Sequence, residues 1–284
     1  MKKRDLTIIA MSLLLVASSC EKEKDNNLLV PEASVENVEQ EKLQITDEVM
    51  SVFKNNYYNV NEIDVVDFML PDGSMEERFQ LENDILFSAE QFESLSEIDI
   101  KSAKNYHTTN LVSPRTLTII GYTGGQNALP TKEQTALQYA VNNYNALNLS
   151  IRFTLTFGTS YQDKDMVVYL NPSESGAGGS AGFPSNGNPN KFVQIYGLSN
   201  YDVNVIEHVI THEIGHSVGF RHTDWFSRQS CGQNTNEGTA GVGAIPVPGT
   251  PEAYDPTSIM LACFSSNEDG EFNNNDITAL NYLY

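Results

Sequence analysis

The chain has 284 residues and a formal net charge of −20. An acidic balance of this size repels phosphate and excludes nucleic acid as a partner. The length allows one substantial domain with smaller appendages, and 40% hydrophobic residues suffice for a packed core.

Lys2, Lys3 and Arg4 precede an apolar stretch, residues 6–16, too short for a permanent membrane span. Residues 1–19 therefore read as a signal peptide, and the protein as exported. Ala17, Ser18 and Ser19 directly before Cys20 resemble a bacterial lipobox, in which the cysteine carries lipid. That implies anchoring to the outer membrane, on its periplasmic or surface face. An ordinary signal peptide with an incidental cysteine is the alternative. Residues 20–44 are charged and without periodicity, a linker. With Cys20 lipidated, Cys231 and Cys263 remain. An even pair in an oxidising compartment points to a disulfide, against two unrelated buried thiols.

Residues 45–115 read as a small N-terminal pre- or pro-domain. A strand over residues 65–70 ends in the turn Pro71-Asp72-Gly73, and residues 79–87 form a second strand. From residue 116 to 284 charge thins out and a larger domain begins. Strands are expected over 116–122, 151–157, 166–170 and 192–196, with a helix over 130–147. The run at 166–170 is continuously apolar, as deep in a sheet. Residues 176–189 are a Gly-rich loop. A long helix over 201–218 follows, with Ser199 and Asp202 placed for a capping box. The order indicates an α+β fold, a mixed sheet backed by helices.

That helix contains His212-Glu213-Ile214-Gly215-His216. Positions i and i+4 share a helix face, so both imidazoles can reach one metal, with Glu213 beside it. A catalytic zinc takes three protein ligands and a water. Gly219 lets the chain leave the helix with positive φ and bring back His222, completing H-E-x-x-H-x-x-G-x-x-H.

The string resembles the metzincin clan of zinc peptidases, over residues 116–284. Ser258-Ile259-Met260 looks like the clan's Met-turn. Residues 276–284 are similar to the helix that closes matrix-metalloproteinase catalytic domains. With His222-Thr223-Asp224 after it, the motif looks most like the bacterial HEIGH metallopeptidases. The resemblance implies a twisted mixed sheet with one antiparallel edge strand, a central active-site helix and a C-terminal helix. It implies one catalytic Zn2+ on His212, His216 and His222, with Glu213 as general base and Met260 beneath the metal. The activity implied is that of an endopeptidase on a protein or peptide, laid antiparallel along residues 192–196. Residues 252–258 would line one wall of the specificity pocket. Astacin-like and serralysin-like enzymes place a tyrosine two residues after the methionine; Ala262 stands there, so that role is vacant or filled from elsewhere. Asp224 either orients a ligand imidazole or caps a turn.

Latency is the remaining implication. Astacin-like enzymes block their zinc with an aspartate in a Phe-x-Gly-Asp pattern. Leu81-Glu82-Asn83-Asp84 is similar, with Leu81 and Asn83 in place of Phe and Gly. Asp84 is thus the candidate zymogen switch, released by a cut at Lys101, Lys104 or Arg115; a surface carboxylate at a turn is the other reading. His208 reads as packed, and His107 has no partner by spacing. Asp163 and Asp165 are too few for a Ca2+ cage and read as solvated. A monomer is expected. Two other classes stay open: a surface-anchored adhesion or binding module with a structural or inactive metal site, and a zinc hydrolase of a non-peptide substrate.

Overall fold

The computed structural model describes residues 42–55, 58, 60–96, 107–108, 110–234 and 247–284. The signal peptide, Cys20, most of the linker, Lys101 and Lys104 lie outside the described residues. The main sheet has five strands: β4 (Thr116–Tyr122), β5 (Arg152–Gly158), β6 (Met166–Leu170), β7 (Gly178–Ser180) and β8 (Phe192–Tyr196). Their order is β5-β4-β6-β8-β7, with β7 antiparallel to β8 and the other pairs parallel. The 192–196 strand is therefore interior, not the rim. The rim is β7, three residues inside the stretch read as a Gly-rich loop. Glycines hide a strand from a propensity reading because they carry no side chain to pack.

Helices α3 (Thr131–Ala146) and α4 (Val203–Ser217) cover one face of this sheet. The other face is covered by a second sheet of β1 (Ile63–Met69), β2 (Met75–Leu81) and β3 (Ile85–Phe87), all antiparallel. Alternation along β6 shows both coverings. Met166 and Val168 join the core under the helices, while Val167 and Tyr169 pack with Phe68 and Leu86 of the smaller sheet. A strand buried on both faces has no polar side to show, which accounts for its unbroken apolar run. The Tyr169 hydroxyl and Gln194 Nε2 both donate to Met69 O, at 2.6 and 2.7 Å. The N-terminal sheet is thus a third layer of the same packed body. Helices α1 (Asp47–Asn55) and α2 (Ala89–Ser96) flank it, and α5 (Asn274–Leu283) closes the chain. No described helix is long and apolar enough to cross a membrane.

The stretch 79–87 is not one strand. It breaks at Glu82 and Asn83, both left-handed with φ of 56° and 73°. The start of α4 also departs from expectation. Asp202 sits at the N-cap but its side chain makes no cap bond. Lys132 Nζ instead donates to Ser199 O and Tyr201 O, at 2.7 and 2.9 Å, holding the entry loop by its carbonyls.

Candidate metal centre

Every α4 residue from Val205 to Ser217 is buried, so the helix is a rigid central post. His212 and His216 project from one face, their rings edge-to-face with centroids 4.5 Å apart. The helix ends with Gly219 N–H donating to His216 O and Phe220 N–H to Gly215 O, both at 2.9 Å. Gly219 has φ +112°, and a Cβ there would press on Leu111 and Thr108. That turn returns His222 to the face of its two partners. His216 Nε2 and His222 Nε2 are 3.2 Å apart, and Asp84 Oδ2 lies 3.0 Å from His222 Nε2 and 3.9 Å from His212 Nε2. All four ligand atoms fall within 4.8 Å of one another. Tetrahedral zinc, with ligands at about 2.0 Å, needs edges of roughly 3.3 Å. The donor set fits such an ion.

Each imidazole is held from behind. His212 Nδ1 contacts Ile259 O at 2.9 Å and His216 Nδ1 contacts Phe220 O at 2.8 Å. His222 Nδ1 faces Glu82 Oε2 at 3.3 Å. Burial, then the neighbouring imidazoles, hold His212 and His216 well below the usual histidine range, in the neutral state that ligates metals. Burial acts the same way on His222, but the Asp84 and Glu82 carboxylates outweigh it and raise its pKa.

Glu213 is buried beside the cluster, and its Oε2 has no hydrogen-bond partner among the described residues. Burial first, and the Asp84 charge second, push its pKa well above the carboxylate range; a bound cation acts in the opposite sense. Gly179 of the rim strand is what makes room for it, because a Cβ there would lie 2.6 Å from Glu213 Cγ. Gly215 does the same beneath the site: a Cβ would meet Met260 Sδ at 2.5 Å. Met260 is buried, and its turn is pinned by Asp276 of α5, which accepts from Ser258 Oγ at 2.8 Å and Ile259 N at 3.1 Å. Burial raises the Asp276 pKa to about 6, against the hydrogen bonds that lower it.

Asp224 is fully buried and orients no ligand imidazole in this way. It accepts from Ser230 N and Oγ at 2.9 and 2.6 Å and from Ala262 N at 3.0 Å, tying the segment after His222 to the one after Met260. The Cys231–Cys263 disulfide closes the same junction. A cavity of about 430 Å³ opens beside the cluster, lined among others by Gly179, Tyr196, His208, Val209, Leu261 and Phe264. Its wall is residues 261–266, and residues 252–258 do not line it. His208 is packed, with Nδ1 3.9 Å from Glu268. His107 contacts Thr108 O through Nδ1 at 2.6 Å and bridges Phe220, away from the cluster. Asp165 is not a solvated carboxylate: it accepts from Arg115 and from Thr118 N, both at 2.7 Å. Arg115 also donates to Gly187 O, which ties down one of the three expected cut points.

Three imidazoles converging on one point, with a buried acid beside them on the same helix, define a metal-dependent hydrolase. Residues 79–284 match the family described as dual-action HEIGH metallo-peptidase, and the chain belongs to that family. No curated protein matches it. Among solved structures it is similar to two of myroilysin. One is 14% identical, with a TM-score of 0.35, over 57% of this chain and 77% of that one. The other is 15% identical, with a TM-score of 0.38, over 62% and 89%.

Sequence reasoning missed Glu82, Asp276 and Gly179. Asp276 had a signal: Asn273 three residues before it is half of a capping box, which the structure contains. The other two depend on tertiary neighbours and had none.

Proposed function

We propose that this metallopeptidase is a zinc-dependent endopeptidase using His212, His216 and His222 as ligands and Glu213 as general base. The observation that carries the reading is the convergence of the three buried imidazoles, with Glu213 beside them facing the cavity. Zinc held there would polarise the scissile carbonyl and the attacking water. Glu213 takes the proton from the water as its oxygen bonds to the carbonyl carbon, then delivers it to the leaving nitrogen as the C–N bond breaks. The rim strand β7 offers main-chain groups to an extended peptide laid antiparallel. Glu213→Ala should retain stoichiometric zinc and lose at least about a thousandfold in peptide cleavage. Cleavage at the parent rate by that variant refutes the mechanism.

The N-terminal segment, residues 45–115, is read as a latency segment. Asp84 sits where a carboxylate would displace the water. The same segment also takes up the rim: Leu86 N–H donates to Ala181 O at 2.8 Å and Ala181 N–H to Asp84 O at 2.9 Å. Export, lipid anchoring through Cys20 and a monomeric state complete the proposal; fatty-acid labelling lost in Cys20→Ser tests the anchor.

One observation favours a second reading. Asp84 makes four protein ligands, and a closed four-ligand set is the mark of a structural zinc site. Asp84→Ala in the full, uncut chain separates the two. A latent peptidase keeps its zinc and gains activity; a structural site loses zinc and stays inert.

A further inference from the structure

The imidazoles of the cluster are held from behind in two ways. His212 and His216 rest on backbone carbonyls of their own neighbourhood. His222 Nδ1 instead faces a side chain from far upstream, Glu82, whose Oε2 lies 3.3 Å away as an ion-pair contact. Both side chains are fully buried. A buried carboxylate is retained only with charge partners. Arg221 Nη2 donates to Glu82 Oε1 at 2.9 Å, and its guanidinium lies over the Tyr58 ring at 4.6 Å. Arg228 donates to Glu82 O at 2.9 Å and to Glu62 at 2.8 Å. Glu82 also holds a left-handed backbone, φ 56°, which a non-glycine residue adopts at a cost. Backbone strain, a buried charge paired with Arg221, and an Arg228 bond to the same residue's carbonyl thus converge on Glu82 behind the third imidazole.

We propose that Glu82 is a positioning residue of the metal centre. It accepts from His222 Nδ1–H, fixes that tautomer, and leaves the Nε2 lone pair directed at the metal. The proposal rests on the zinc-peptidase reading and deepens it. The turn 82–84 then does two separable jobs. Asp84 faces the front of the cluster and Glu82 stands behind His222. Release of Asp84 must leave Glu82 in place, so the turn belongs to the working site and not only to a blocking segment. The family match begins at residue 79, so it includes this turn.

The test is zinc affinity by chelator competition on the full chain carrying Asp84→Ala, alone and with Glu82→Ala or Glu82→Gln. Glu82→Ala is expected to weaken zinc roughly 10- to 100-fold and to shift the visible absorption of the cobalt-substituted protein. Glu82→Gln keeps an oxygen acceptor and should recover most of the affinity, remaining a few-fold weaker with a displaced cobalt band. A purely structural role would lower thermal stability but leave affinity and the saturated cobalt spectrum unchanged; that result overturns the proposal. If Glu82→Ala does not fold, Glu82→Gln decides alone: a spectrum and affinity equal to the Asp84→Ala chain overturn it. If the Asp84→Ala chain binds no zinc at all, the peptidase reading fails, and the proposal with it.

Discussion

Helix α4 and the turn at Glu82–Asp84 reach the same centre from opposite ends of the chain. In α4, helical periodicity alone places His212, Glu213 and His216, and neighbouring carbonyls orient the rings. In the turn, two carboxylates are placed by packing across more than a hundred residues, and the buried arginines Arg221 and Arg228 hold the turn there. The first construction is local and tolerant of what surrounds it. The second exists only when the N-terminal layer is docked. The histidine-bearing helix and the turn facing it thus differ in how much of the fold each needs.

The largest effect should come from cutting the link between the two. Phe183 is buried in the N-terminal core with Phe53, Tyr58 and Phe87, and its ring meets His216 edge-on at 5.5 Å. Phe183→Ala should cost about 3–5 kcal/mol in denaturant unfolding. If the N-terminal layer is merely laid on, unfolding will show a cost near zero for the part that carries α4. Next comes the disulfide, with its ends 32 residues apart. Cys231→Ser with Cys263→Ser should cost about 3–4 kcal/mol in the chain-entropy model, and intact mass with and without reductant verifies the bond. A loss under 1 kcal/mol would mean that Asp224 alone secures the junction.

The same contrast explains what the sequence reading could reach. The histidine string and the strands at 166–170 and 192–196 were legible, because each is a local pattern of spacing or apolar run; the turn at Ser258–Met260 was singled out only through the family resemblance. The rim β7 was not, since Gly178 and Gly179 have no strand propensity, and Gly179 is there to admit Glu213. The break at Glu82–Asn83 was hidden because neither residue is glycine, and the contacts that hold its left-handed backbone, from Arg221, Arg228 and Gln80 among others, are tertiary or follow from the turn itself. The sequence left Asp224 open between orienting an imidazole and capping a turn; its carboxylate accepts from Ser230 and Ala262, which fits the second.

Asp276 offers a pH test of its tether to the turn at Ser258–Met260. Its folded pKa is raised to about 6, above the ordinary 3.8. The sign follows: the ionised form is disfavoured by folding, so this group costs stability above pH 6 and the cost is relieved as pH falls toward 4. The cost is on the order of 3 kcal/mol at full ionisation. Relative to Asp276→Asn, the metal-free parent should therefore gain stability on going from pH 7 to pH 4.5, measured by urea midpoints. A pH-independent difference between the two would mean that the hydrogen bonds from Ser258 and Ile259 fully offset burial.

The smallest effect is expected at Asp202, where a local signature and the structure disagree. A side chain that caps a helix is worth about 1 kcal/mol, because it satisfies a backbone N–H that the helix leaves unpaired. Asp202 occupies the N-cap of α4 without making that bond. The entry loop is held by Lys132 Nζ on Ser199 O and Tyr201 O. Asp202→Ala should thus change stability by less than about 0.5 kcal/mol, while Lys132→Met should cost more than Asp202→Ala, through two lost charge-assisted bonds. Thermal melts of the two variants in matched buffer rank them. If Asp202→Ala proves the costlier, its carboxylate caps the helix in solution, and the entry to α4 is built locally like the rest of that helix.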